Sequence, residues 1–125
     1  MSTKRARSSS QSVWENVKAK VELKIMSGEF LPGERIPSVR KLAEDLGVSQ
    51  ATTQKVLYAL SHDGVIEAKR GVGFFVNPYV REKLISDRKR ELEKIVISAV
   101  EEAALINVDL VSMVETCIKM KAEQR

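Results

Sequence analysis

Apolar residues recur at helical spacing through the first half of the chain. They shift to a strand-like pattern near residue 65 and return to helical spacing after residue 80. Trp14, Val17, Val21 and Ile25 stand three and four residues apart, which predicts a helix over 12–27. Ser12 is available to cap it and Gly28 to end it. Leu31-Pro32-Gly33 then predicts a turn. A second helix is expected after Pro37, with Ser38 as its N-cap and Val39, Leu42, Ala43 and Leu46 on its inner side. Gly47 stands where a left-handed residue stops a helix. Only Gly47 and Val48 precede another cap, Ser49. A third helix follows to about His62, with Thr53, Val56, Leu57 and Leu60 turned inward. Gln50, Ala51, Thr52, Gln54, Lys55 and Tyr58 fall on its outer side.

After Asp63-Gly64 the period changes. Residues 65–69 read as a short strand, 70–73 as a glycine-rich turn and 74–76 as the returning strand, closed by Pro78. Residues 80–104 predict a long charged helix with Ile85, Leu92, Ile95, Ala99 and Ala103 along one side. Asn107 suits a left-handed turn, and Asp109 can cap a final helix whose stripe is Leu110, Met113, Val114 and Cys117. The fold class is therefore mainly α (α+β). Its parts are a basic disordered arm at 1–11, a winged helix-turn-helix at 12–78 and a helical segment at 79–125.

Composition narrows this picture. The chain is 43% hydrophobic and 30% charged, which suits a packed core rather than wholesale disorder. No stretch approaches the roughly 20 apolar residues that span a bilayer, and the polar, basic start is unlike a secretory signal. A cytoplasmic protein with no membrane partner is expected. Residues 1–80 carry 12 Lys/Arg and 8 Asp/Glu, whereas residues 81–125 carry 9 of each. The net charge of +4 thus belongs to the first two-thirds, where a polyanion partner is plausible.

Helix, glycine turn, capped helix and hairpin form the order of a winged helix-turn-helix. A helix fits the major groove, where base pairs present distinct donors and acceptors. A preceding helix and a tight turn fix its angle, and the wing adds contacts beside it. Gln50, Thr52 and Gln54 can donate and accept at base edges, and Lys55 can reach phosphate. Ser38 and Arg40 stand where a helix N-terminus attracts phosphate. Lys69 and Arg70 charge the wing tip, while Gly71 and Gly73 allow close approach.

These residues also carry a resemblance. The run Gly28-Glu29-Phe30-Leu31-Pro32-Gly33-Glu34-Arg35-Ile36-Pro37-Ser38-Val39-Arg40-Lys41-Leu42-Ala43 looks like the most recognisable block of the GntR family's DNA-binding domain. Leu46-Gly47-Val48-Ser49, Asp63-Gly64-Val65-Ile66 and the wing Arg70-Gly71-Val72-Gly73-Phe74-Phe75-Val76 continue the likeness over residues 12–77. The resemblance implies DNA contacts at Arg35, Ser38, Arg40, Ser49, Gln50, Thr52, Gln54, Arg70 and Gly71. Members often carry arginine where this chain has Gln50 and Gln54, a polar residue at Ala51 and threonine at Phe74. Glutamine pairs with adenine and arginine with guanine, so a less G-rich recognition is expected there.

The pattern after the wing resembles the short YtrA-like subfamily, in which a helical hairpin makes the dimer. Two helices cannot enclose a ligand pocket of several hundred Å3 unaided. Nor can one hairpin bury the stripes of Ile85, Leu92, Ile95, Val96, Ala99, Val100, Leu110, Met113, Val114 and Cys117. A symmetric arrangement with a second copy solves that problem, and it spaces two recognition helices about 34 Å apart for a palindrome. The expected function is a homodimeric bacterial transcriptional regulator, a repressor on double-stranded DNA. The alternative is a winged protein-interaction adaptor that does not read DNA. No enzyme is expected, because no catalytic constellation accompanies the single histidine, His62. His62 and the single cysteine, Cys117, lack further ligands at useful spacing, so no metal and no cofactor are expected, and Cys117 reads as a core residue. An unidentified small-molecule effector is a further candidate partner, with no residue pointing to its site.

Overall fold

The computed structural model describes residues 9–124. In chain order the elements are α1 (Ser9–Met26), α2 (Val39–Leu46), α3 (Gln50–His62), β1 (Ile66–Lys69), β2 (Gly73–Val76), α4 (Arg81–Leu105) and α5 (Leu110–Glu123). They fall into two compact units, divided after Ile85.

In the first unit the inner sides of α1, α2 and α3 follow the apolar spacing. Ile36, Val80 and Leu84 enter the core from outside the predicted stripes, whereas Ile85, expected on the apolar side of α4, is exposed. Val17, Val21 and Ile25 of α1 pack with Leu42 of α2 and with Val56, Leu57 and Leu60 of α3. Ile36, Val65, Ile66, Val76, Val80 and Leu84 complete the cluster, and Trp14 leans on it half-buried. Val80 and Leu84 carry this core into the first turn of α4. Arg81 fastens that turn, its Nε donating to the Met26 carbonyl at 2.9 Å. The one fully buried polar side chain among the described residues is Thr53, whose Oγ1 donates to the Ser49 carbonyl at 3.0 Å. That back-bond satisfies the hydroxyl inside the core.

The link between α2 and α3 is a Schellman turn. Gly47 lies at φ 68°, its N–H reaches the Glu44 carbonyl, and the Val48 N–H reaches the Ala43 carbonyl at 3.1 Å. Ser49 then caps α3 by accepting from the Thr52 N–H at 3.1 Å. Two residues thus reverse the chain and restart a helix. The same double bond closes α3, with Gly64 N–H to the Ser61 carbonyl and Val65 N–H to the Leu60 carbonyl.

β1 and β2 pair antiparallel with Ile66 opposite Val76 and Lys69 opposite Gly73. A third segment flanks β2. Arg35 forms an isolated bridge with Phe75, Ile36 N–H donates to the Phe74 carbonyl, and Val76 N–H donates to the Glu34 carbonyl, both at 2.9 Å. Sequence spacing reads only a turn near this place, because a single bridge has no period.

Several boundaries differ from expectation. α1 begins at Ser9, so Ser12 lies inside the helix and is not its cap, and the expected arm loses residues 9–11. Adding turns to an existing helix needs no new nucleus, so polar residues extend it without an apolar signal. The rest of the arm, residues 1–8, lies outside the described residues. β1 starts at Ile66 rather than Val65, β2 at Gly73 rather than Phe74, and α4 covers 81–105 rather than 80–104.

The second unit is the helical hairpin from Ser86 onward. Asn107 takes φ 55° and closes α4 by another Schellman pair, Val108 N–H to the Ala103 carbonyl at 2.9 Å. Asp109 caps α5, accepting from the Ser112 N–H at 3.3 Å and the Ser112 hydroxyl at 2.8 Å. No residue of α5 is buried. Leu92, Ile95, Val96, Val100, Met113 and Val114 are all exposed. Cys117 is exposed too, not a core residue of the single chain.

Candidate nucleic-acid interface

Three structural features present the residues picked out by sequence. The first is the start of α2. Ser38 accepts from the Lys41 N–H at 3.2 Å, which leaves its hydroxyl proton to donate outward. Arg40 is well exposed, with its Nε 3.7 Å from Glu44. An exposed pair of this kind is weak, so Arg40 can exchange Glu44 for a phosphate at little cost.

The second feature is α3. Its inner side is sealed in the core, so the rotation of the helix is fixed. Gln50, Ala51, Gln54 and Lys55 are consequently exposed. Thr52 is half-buried, and its Oγ1 accepts from the Ser49 hydroxyl at 2.9 Å. Ser49 and Thr52 therefore act as one local cap, and only the Thr52 hydroxyl proton remains to point at a ligand.

The third feature is the wing. Val72 N–H donates to the Lys69 carbonyl, so Arg70 and Gly71 occupy the middle of the turn, with Gly71 at φ 75°. That φ suits glycine, and it puts an exposed backbone at the tip. Lys69 Nζ lies 4.2 Å from the centre of the Phe75 ring, a cation–π contact along the wing.

Arg35 is exposed beside β2 and belongs to the wing rather than to the approach to α2. Its guanidinium crosses Gly73: a Cβ built there would come within 2.9 Å of Arg35 Nε. Of the ten residues expected to meet DNA, all lie in the first unit and all but Thr52 are exposed. Sequence reasoning gave Tyr58 and Phe74 no role. The structure joins them, their rings edge-on with centroids 5.8 Å apart. They are 16 positions apart in sequence, so no local pattern links them.

Residues 14–76 match the description "Bacterial regulatory proteins, gntR family". The chain belongs to the gntR family. This gntR-family chain is 34% identical over 103 residues to the HTH-type transcriptional regulator Mce2R of Mycobacterium tuberculosis, covering 78% of this chain but 43% of that protein. The match thus spans less than half of the mycobacterial regulator. Similarity to the HTH-type transcriptional repressor YtrA of Bacillus subtilis is 27% over 95 residues and covers 73% of both proteins. Among solved structures, a GntR family transcriptional regulator from Listeria monocytogenes superposes with a TM-score of 0.69 at 21% identity, over 95% of this chain and 98% of that one. That likeness shows the winged fold followed by a helical hairpin. No described helix is long and apolar enough to cross a membrane.

Proposed function

We propose that this gntR-family chain is a sequence-specific DNA-binding transcriptional regulator, and that it represses as a homodimer on a palindromic operator. The observation that carries the reading is α3: its inner side is locked into the core while Gln50, Gln54 and Lys55 stand exposed. Arg35, Ser38, Arg40, Arg70 and the Gly71 backbone supply phosphate contacts around it, with Ser49 and Thr52 at the helix start. Repression is supported by the similarity to YtrA, a relative named as a repressor and matched over 73% of its own length.

The homodimer is supported by the hairpin. Its Leu92, Ile95, Val96, Ala99, Leu110, Met113, Val114 and Cys117 form stripes that the single chain leaves largely uncovered, and Ile85, just before the hairpin, is exposed as well. A contiguous apolar surface of this kind seeks a partner, and a two-fold pairing of hairpins buries it as a four-helix arrangement. The adaptor alternative is not favoured, because the outer side of α3 is polar where a protein-binding helix would be apolar.

Titration of duplex DNA across a salt series tests this reading. Arg35, Arg40, Lys55 and Arg70 from two protomers would neutralise about eight phosphates, so log affinity should fall against log salt with a slope of about −7. A chain that ignores duplex DNA in dilute buffer defeats the proposal.

A further inference from the structure

Phe74 is half-buried against the core of the first unit, so its position is set by the scaffold. Tyr58 is 56% exposed and rests its ring against Phe74 at an interplanar angle of 76°, the edge-to-face geometry that aromatic quadrupoles favour. The Gln54 amide nitrogen stands 3.5 Å from the Tyr58 hydroxyl, at the limit of a donated hydrogen bond. Gln54 and Tyr58 are one helical turn apart, so the two side chains share one line along the outer side of α3.

We infer that Tyr58 is a positioning residue that orients the Gln54 amide for base reading, and that Phe74 anchors Tyr58 to the wing. The inference rests on the DNA-reading role proposed for Gln54. Its chemistry follows from the amide. A glutamine carboxamide has two N–H bonds and one carbonyl oxygen. If the N–H anti to the carbonyl is the one directed at Tyr58, the syn N–H and the carbonyl remain side by side, which is the pair that adenine takes at N7 and N6. Without the phenol, a long side chain on a solvated helix turns among rotamers and presents either end of the amide. Tyr58 therefore adds selectivity without adding a contact of its own. The relay core, Phe74, Tyr58, Gln54 also makes base preference depend on the seating of the wing.

The test uses the full chain and binding-site selection from a randomised duplex pool, followed by competition with single-base variants of the selected site. Gln54→Ala should flatten the preference at one base pair in each half-site. Tyr58→Phe keeps the ring contact and removes only the hydroxyl. It should lower discrimination at that same base pair by about threefold, as expected for one weak neutral hydrogen bond. The other positions, the salt slope and the melting temperature should stay as in wild type. A Tyr58→Phe chain with full discrimination at that pair overturns the inference, as does one that loses affinity evenly on every sequence. If the wild-type chain selects no sequence at all, the regulator reading fails and the inference goes with it.

Discussion

Gly73 sits under the Arg35 guanidinium at φ 143°, where a side chain meets both backbone strain and a contact of 2.9 Å. Gly73→Ala should therefore push Arg35 aside. We expect operator affinity to drop about tenfold, the loss of one charge-assisted contact, with wing hydrogen bonding kept. Fluorescence anisotropy with a labelled duplex measures the first quantity and amide exchange at Ile36 and Val76 the second. Gln50 offers a change of preference rather than of strength. It is exposed at the first position of α3, so Gln50→Arg should favour guanine over adenine at the base it meets. Unchanged selection would remove Gln50 from the set of reading residues.

The elements show which of these features a sequence can announce. The inner side of α3 is legible because Thr53, Val56, Leu57 and Leu60 repeat with the helix, and each is buried. The caps Ser38, Ser49 and Asp109 are legible because capping is local, a hydroxyl or carboxylate meeting an N–H three residues on. The bridge from Arg35 to Phe75 and the ring contact of Tyr58 with Phe74 are not, since each joins two distant points of the chain. Capping carries its own predictions. Ser49→Ala should lower stability by about 1 kcal/mol, read as a fall in melting temperature, because the Thr52 N–H loses its acceptor. Asp109 responds to acid. Hydrogen bonds from the Ser112 side chain, and then from its backbone N–H, hold the Asp109 carboxyl below the ordinary carboxylate range. Its folded pKa is thus the lower one, so its contribution is whole above the unfolded value and disappears as pH falls through the folded value. Asn also caps but does not titrate. Asp109→Asn should therefore give a hairpin whose helicity varies less than wild type below about pH 4 in circular dichroism.

At the level of the whole molecule, the proposed homodimer rests on the exposed apolar residues of α4 and α5. Ile95 is 57% exposed in the single chain and lies on the predicted seam. Ile95→Glu should convert a dimer into a monomer by light scattering, because two like charges would face each other across a two-fold axis. The fluorescence of Trp14, the only tryptophan, reports on the first unit and should not change. Loss of the second half-site should then weaken operator binding far more than any single contact does. An Ile95→Glu chain that remains dimeric would place the seam elsewhere.

The division of α3 into a sealed side and an open side has an evolutionary reading. Gln50, Ala51, Gln54 and Lys55 take no part in the core, so exchanges among them leave folding almost untouched. After gene duplication, two descendants could diverge in target through four codons while keeping one melting temperature. If these residues read the operator as proposed, fold stability places almost no constraint on a change of target.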